Sequence, residues 1–243
     1  MATYVLVPGA WLGGWVWQDV AARLRADGHD VYPVTLTGLG ERSHLARPDT
    51  DLETHIADVV NVIAWNDLRD VILAGHSYAG IVVTGVADHI PERLQALVYV
   101  DSAPLADGQA MVDLYPPEGL AALQATVDAK GEGWRFPFPG IEALGEGASL
   151  AGLDEADRSL MARKAVAQPW RTYTQPLRLQ NAGETPAYRR VVIACDDIRG
   201  MVAAEVPPIV AMTALPWQYV EMETGHWPML SAPAELARVL DGV

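Results

Sequence analysis

Val71-Ile72-Leu73-Ala74-Gly75-His76-Ser77-Tyr78-Ala79-Gly80 reads as a buried strand that passes through Gly-x-Ser-x-small straight into a helix. A serine on so sharp a turn is forced out above the end of its strand, and crowding there demands small residues two positions to either side. Gly75 and Ala79 meet that demand. An ordinary helix N-cap serine is the alternative. The strand before Ser77 and the apolar Ile81, Val82 and Val86 after it favour a nucleophile.

Outward from this turn, short runs rich in β-branched residues alternate with stretches of helical period. Expected strands are Tyr4 to Val7, Val31 to Val34, Val71 to Ala74, Leu97 to Val100, Val191 to Ala194 and Gln218 to Glu221. Val16, Val20 and Leu24 fall at i, i+4 and i+8, with Gly28 where a helix C′ glycine belongs. Leu52, Ile56, Val60 and Ile63 make a second stripe, opened by a capping-box pattern of Thr50 and Glu53. A last helix carries Leu236, Val239 and Leu240, with Ser231 as its N-cap and Pro233 in its first turn. The prediction is an α/β fold, a mainly parallel sheet of about six strands flanked by helices.

The alternation fails between Pro104 and about Ala187, where Gly131 to Gly140 is expected to be irregular and Asp154 to Ala167 helical. So long a non-sheet insertion exceeds a crossover, and its aromatics Trp134, Phe136, Phe138, Trp170 and Tyr173 argue against a disordered linker. Residues 104–187 are therefore predicted to form a cap over a core made of residues 1–103 and 188–243.

Composition narrows the function. The 243 residues hold 17 Lys and Arg against 31 Asp and Glu, a net charge of −14, so phosphate backbones and anionic membranes would on balance repel the chain. Half the residues are apolar and 20% charged, which is a folding composition. The one cysteine, Cys195, cannot form an intramolecular disulfide, and no Cys/His cluster has zinc-ligand spacing, so a reducing, cytoplasmic setting without a metal is expected. No apolar run approaches the ~18 residues of a membrane span.

A serine hydroxyl needs a base to take its proton. Of six histidines, His29, His55 and His89 read as surface residues, His76 is turned away from Ser77 by its place on the turn, and His44 is a weak candidate for pocket lining. His226, in Glu223-Thr224-Gly225-His226-Trp227-Pro228 just past the last strand, is the expected base. The carboxylate that orients it should also follow a strand, which leaves Asp197, Asp196 and Asp101, with Asp197 placed first. An acyl-transfer site further needs two backbone N–H groups for the oxyanion. Tyr78, immediately after the serine, supplies one, and Ala10, in the glycine-rich loop Pro8 to Gly14, the other. That loop lacks G-x-G-x-x-G and the Walker lysine, so no cofactor is expected. Trp11 and Trp227, with the cap aromatics, suggest an apolar substrate pocket.

Taken together, Leu6 to Trp17 (LVPGAWLGGWVW), Thr35 to Leu45 (TLTGLGERSHL), Leu73 to Gly80 (LAGHSYAG), Cys195 to Asp197 (CDD) and Glu223 to Leu230 (ETGHWPML) resemble the α/β-hydrolase fold. The likeness is to its compact esterase group of plant methyl esterases, hydroxynitrile lyases and bacterial relatives. The resemblance implies a triad of Ser77, Asp197 and His226, oxyanion donors Ala10 and Tyr78, and a cofactor-free enzyme acting on a small-molecule ester. Two positions depart from the group. Pro8-Gly9 stands where His-Gly is usual, and Trp227 stands where the lyases carry a lysine, which disfavours cyanohydrin cleavage. Alternatives within the fold are carbon–carbon hydrolysis, cofactor-free oxygenation, or a small-ligand receptor.

Overall fold

The computed structural model describes residues 1–183 and 185–243. Its strands are β1 (Thr3–Val7), β2 (Asp30–Pro33), β3 (Val71–His76), β4 (Leu94–Val100), β5 (Arg135–Phe136), β6 (Gln168–Pro169), β7 (Arg189–Ala194) and β8 (Trp217–Glu221). Six of them form one parallel sheet in the order β2-β1-β3-β4-β7-β8, while β5 and β6 pair antiparallel on their own. The helices are α1 (Gln18–Ala26), α2 (Leu52–Trp65), α3 (Ala79–His89), α4 (Pro117–Lys130), α5 (Ile141–Leu144), α6 (Glu155–Lys164), α7 (Arg171–Thr174), α8 (Asp196–Ala203), α9 (Pro207–Val210), α10 (Pro228–Ser231) and α11 (Pro233–Asp241).

Side chains alternate across a strand, so one strand feeds two cores. Val5, Val7 and Leu73 point to one face and pack with Ile56, Val59 and Ile63 of α2 and Val82 and Val86 of α3. Tyr4, Leu6, Ile72 and Ala74 point to the other, against Val20 and Leu24 of α1 and Leu236 and Leu240 of α11. Because both faces are covered, β3 is buried at every residue and reads as a continuous apolar run. Each of these fully buried aliphatic side chains contributes roughly 1.5–3 kcal/mol relative to exposure.

The strand order also decides where chemistry can occur. From β1 the chain moves to one side to build β2 and returns to the other to build β3, with Val7 beside Gly75. A crevice opens at the carboxyl ends of two such strands, and it is where open α/β sheets bind ligands. The loop after β1 and the turn at Ser77 meet there.

All six expected strands are present within a few residues of their predicted limits, and Gly28 follows α1 with φ +88°. Three local expectations are corrected. The box opening α2 is Asp51 with Thr54, one residue beyond Thr50 and Glu53, because the Asp51 carboxylate accepts the Thr54 N–H (3.0 Å). Thr50 instead turns its hydroxyl to the Arg47 N–H. Ser231 closes α10 and bonds Thr224, so Ala232 precedes α11. The stretch expected to be irregular contains β5, whose partner β6 lies too far along the chain for local pattern to reveal. Residues 104–187 also hold α4, where the sequence pattern predicts no helix, and α6, capped by Asp154. Among the described residues no helix is long and apolar enough to cross a membrane.

Candidate active site

Ser77 sits in the left-handed region at φ +52°. Its carbonyl accepts the Gly80 N–H (2.9 Å) and the Ser102 hydroxyl (2.6 Å), and its N–H donates to Val100 (3.3 Å), so the strained turn is fastened on three sides. A Cβ at Gly75 would lie 2.8 Å from the Ala79 carbonyl oxygen and from both Val83 methyls, which is why only glycine fits there. Ala10 and Tyr78 are both buried, and among the described residues their backbone N–H groups have no hydrogen-bond acceptor. Buried amides are paired in the great majority of cases, so two unpaired ones beside a serine are informative.

The His226 loop follows β8. His226 donates its backbone N–H to the Ser149 carbonyl (2.8 Å), and its carbonyl accepts from His76 Nε2 (2.7 Å). His226 Nδ1 faces Asp101 Oδ2 at 2.7 Å and Asp197 Oδ2 at 3.1 Å. Carboxylates only accept, so the proton resides on Nδ1 and Nε2 is left for the cavity. Ser77 and His226 line that cavity together without being hydrogen-bonded, a spacing common before substrate binds.

The two carboxylates differ. Asp101 is buried, at φ +43°, and its second oxygen accepts the N–H groups of Cys195 (2.9 Å) and Ile198 (3.0 Å). Asp197 is partly exposed, and among the described residues its second oxygen accepts only the Ser149 N–H (2.9 Å). Asp196 takes no part: it accepts the Ser149 hydroxyl (2.7 Å) and pairs with Arg199. Of the three candidate carboxylates expected from the sequence, tertiary structure brings two, Asp101 and Asp197, to one nitrogen.

This arrangement sets the charge of His226. Burial disfavours the His226 cation, but the hydrogen bonds and charges of Asp101 and Asp197 outweigh it and push its pKa up to about 9. Burial opposes ionisation of Asp197 too, yet its bond to His226 holds the carboxyl below the usual range. His76, whose ring centroid is 4.8 Å from that of His226, is held neutral first by burial and then by the neighbouring imidazolium. Donor atoms of Asp101, Asp197 and His226 lie within 4.8 Å of one another, a metal-like donor set here engaged in hydrogen bonds to the imidazole.

A cavity of about 520 Å³ covers Ser77. Ala10, Trp11 and Leu12 line it from the loop after β1, His226 and Trp227 from the loop after β8, and Met111, Tyr115, Phe136, Phe138 and Tyr173 from residues 104–187. Trp227 is 4% exposed and stands edge-on to His226, with ring centroids 4.8 Å apart. Trp11 packs against Phe136 and Phe138 and donates its indole N–H to the Phe136 carbonyl (3.1 Å).

Two histidine readings are corrected. His55 is not a surface residue. It is fully buried, Nε2 donating to the Thr37 carbonyl (2.8 Å) and Nδ1 accepting from the Tyr78 hydroxyl (2.9 Å), because the flank of α2 that bears it meets α3 and not solvent. His44 is exposed and outside the cavity, since its loop forms a 3-10 turn along the surface. Ser149 and Gln168 carry no signal in the sequence, because their contacts with the site are long-range, and His76, expected to turn away from Ser77, bonds the His226 carbonyl instead.

A sequence profile described as the alpha/beta hydrolase family matches residues 4–239. The chain belongs to the alpha/beta hydrolase family. It is 38% identical to a carbendazim hydrolyzing esterase of Nocardioides sp. (strain SG-4G), across 99% of this chain and 98% of that one. It is 24% identical to methylesterase 10 of Arabidopsis thaliana, across 99% and 90%. Among solved structures, an extracellular alpha/beta-hydrolase from a Paenibacillus species, described as sharing structural and functional homology with tobacco salicylic acid binding protein 2, superposes with a TM-score of 0.84. That similarity has 24% identity and covers 100% of this chain and 98% of the other. An Arabidopsis methylesterase superposes with a TM-score of 0.72 at 18% identity, covering 100% and 98%.

Proposed function

We propose that the protein hydrolyses a carboxylic ester of a small apolar or aromatic substrate through an acyl-enzyme on Ser77. His226 takes the serine proton as the hydroxyl attacks the ester carbonyl. The Ala10 and Tyr78 N–H groups hold the oxyanion, and the imidazolium returns the proton to the leaving alcohol. Water, deprotonated by the same Nε2, then releases the acid and frees the serine. Asp101 and Asp197 hold the Nδ1 proton throughout, Asp101 through the shorter and more buried contact.

The observation that carries this reading is the convergence on one cavity of a serine in a left-handed turn, an imidazole fixed by carboxylates and the unpaired buried amide of Ala10, with the unpaired Tyr78 amide next to the serine in the chain. Residues 104–187 act as its cap, supplying aromatic walls that select apolar groups. Trp11 and Trp227 are substrate-contacting residues on the same argument. Trp227, an apolar side chain, directly follows the base, which favours hydrolysis over cyanohydrin cleavage. The lone buried Cys195 suits a reducing, cytoplasmic setting.

A fluorophosphonate probe should label the wild type and not Ser77→Ala. On a panel of nitrophenyl and methyl aryl esters, with carbendazim included because of the Nocardioides relative, Ser77→Ala should lose on the order of 10⁴ to 10⁶ in kcat. More than a tenth of wild-type activity in Ser77→Ala would end the acyl-enzyme reading. Exclusive preference for acetyl esters would count against a roomy apolar site.

A further inference from the structure

Trp11, immediately after the proposed oxyanion donor Ala10, has a left-handed backbone with φ +63°. A large side chain keeps that conformation only where its surroundings over-determine it. Three hydrogen bonds do so, and every partner comes from residues 104–187. The Trp11 N–H donates to Gln168 Oε1 (3.1 Å), its carbonyl accepts the Val166 N–H (3.0 Å), and its indole N–H donates to Phe136. Gln168 is fully buried, and its orientation is fixed: Nε2 donates to Thr172 Oγ1 (2.8 Å), whose own hydroxyl donates to the Pro169 carbonyl (2.7 Å). With the amide nitrogen committed to Thr172, only the oxygen can face Trp11.

Resting on the ester-hydrolase reading, we propose that Gln168 is a positioning residue of the oxyanion site. By accepting the Trp11 N–H it locks the peptide that follows Ala10, so the Ala10 N–H stays unpaired and available to the developing oxyanion. The cap strand β6 thereby completes the catalytic apparatus of the core as well as covering it. Without the Gln168 carbonyl, the partly buried Trp11 N–H loses its acceptor, and the loop relieves this by shifting Gly9 to Trp11 together, which carries the Ala10 N–H away from its aim. The oxyanion then keeps one well-placed donor, Tyr78. Losing a single oxyanion donor costs about 10²- to 10³-fold in kcat.

The test is steady-state hydrolysis of a nitrophenyl ester by wild type, Gln168→Leu and Gln168→Glu, with inhibition by an aryl trifluoromethyl ketone, which forms a tetrahedral adduct on the serine. Gln168→Leu should lose about 100-fold in kcat, with KM within about threefold of wild type, and should weaken ketone binding by a similar factor. Gln168→Glu keeps an acceptor for the Trp11 N–H and, held protonated by burial, donates its O–H to Thr172 as the amide did, so it should recover to within about tenfold of wild type. The pH profile should keep its shape, since His226 is untouched. A kcat for Gln168→Leu within threefold of wild type, or a loss carried by KM, would overturn the proposal. If Gln168→Leu fails to fold, Thr172→Val takes its place: about tenfold lower kcat at unchanged KM supports the assignment, and unchanged kcat overturns it. Wild type without Ser77-dependent turnover would overturn the hydrolase reading itself, before any Gln168 variant is compared.

Discussion

Two carboxylates on one imidazole make a specific pH signature, which Asp197→Asn and Asp101→Asn should separate. With His226 at about 9, the neutral base is about 1% of the enzyme at pH 7 and about 10% at pH 8. Wild-type kcat/KM should therefore climb roughly a hundredfold from pH 7 to its plateau. Asp197 makes the longer contact, at 3.1 Å and partly exposed, so Asp197→Asn leaves Asp101 to orient the ring. Its plateau should stay within about tenfold of wild type, while its limb falls by about one pH unit or more, raising the neutral fraction at pH 7 about tenfold. Asp101→Asn behaves differently. The Cys195 and Ile198 N–H groups hold the amide oxygen on their side and turn its NH₂ toward Nδ1, where donor meets donor. The imidazole then takes the wrong tautomer, and the plateau should fall by about 10⁴. The assay is nitrophenyl ester hydrolysis from about pH 6 to about pH 10 with spontaneous hydrolysis subtracted. A flat wild-type profile, or equal plateau losses in the two variants, would refute the reasoning.

Stability should also depend on pH, with opposite signs at two histidines. His226 is raised on folding, so its contribution, on the order of 3 kcal/mol, is complete below about pH 6.5 and is lost as pH rises through about 9. His226→Gln should remove that alkaline slope from a series of thermal melts. His55 is lowered to about 4, chiefly by burial and against its bond to Thr37, so its stabilisation holds above about pH 6.5 and is lost as pH falls toward 4. His55→Gln, which can keep both hydrogen bonds without titrating, should melt with a flatter acid limb. A Cβ at Gly225 would lie 2.6 Å from the Ser149 and Ala151 carbonyl oxygens. Gly225→Ala should therefore lose about 1–3 kcal/mol in urea unfolding, together with kcat, as the His226 loop is displaced. His44→Ala, altering an exposed residue outside the cavity, should leave kcat and KM unchanged.

The sequence by itself determined the sheet, the turn at Ser77 and the place of His226, the proposed base, after the last strand. Strand and turn propensities are local: β-branched runs mark buried strands, Gly75 and Ala79 mark the tight turn, and an imidazole just after the last strand can emerge only at the carboxyl edge. Local pattern could not show which acid holds the imidazole. Asp101, Asp196 and Asp197 all follow strands, and only the distances across the ends of β4, β7 and β8 bring Asp101 and Asp197 to Nδ1 while sending Asp196 to Ser149 and Arg199. His55 misled because a polar flank of a helix looks the same whether it meets water or, as here, a tyrosine hydroxyl and a carbonyl. Residues 104–187 carry little periodicity, since their side chains are set by the core they lie against. The hydrogen bonds from Gln168 and Ser149 to the catalytic loops exist only once the chain has folded back on itself. Regular strands and helices follow largely from neighbours along the chain, whereas strained backbone, proton affinity and the aim of an amide depend on what stands a few ångströms away in space.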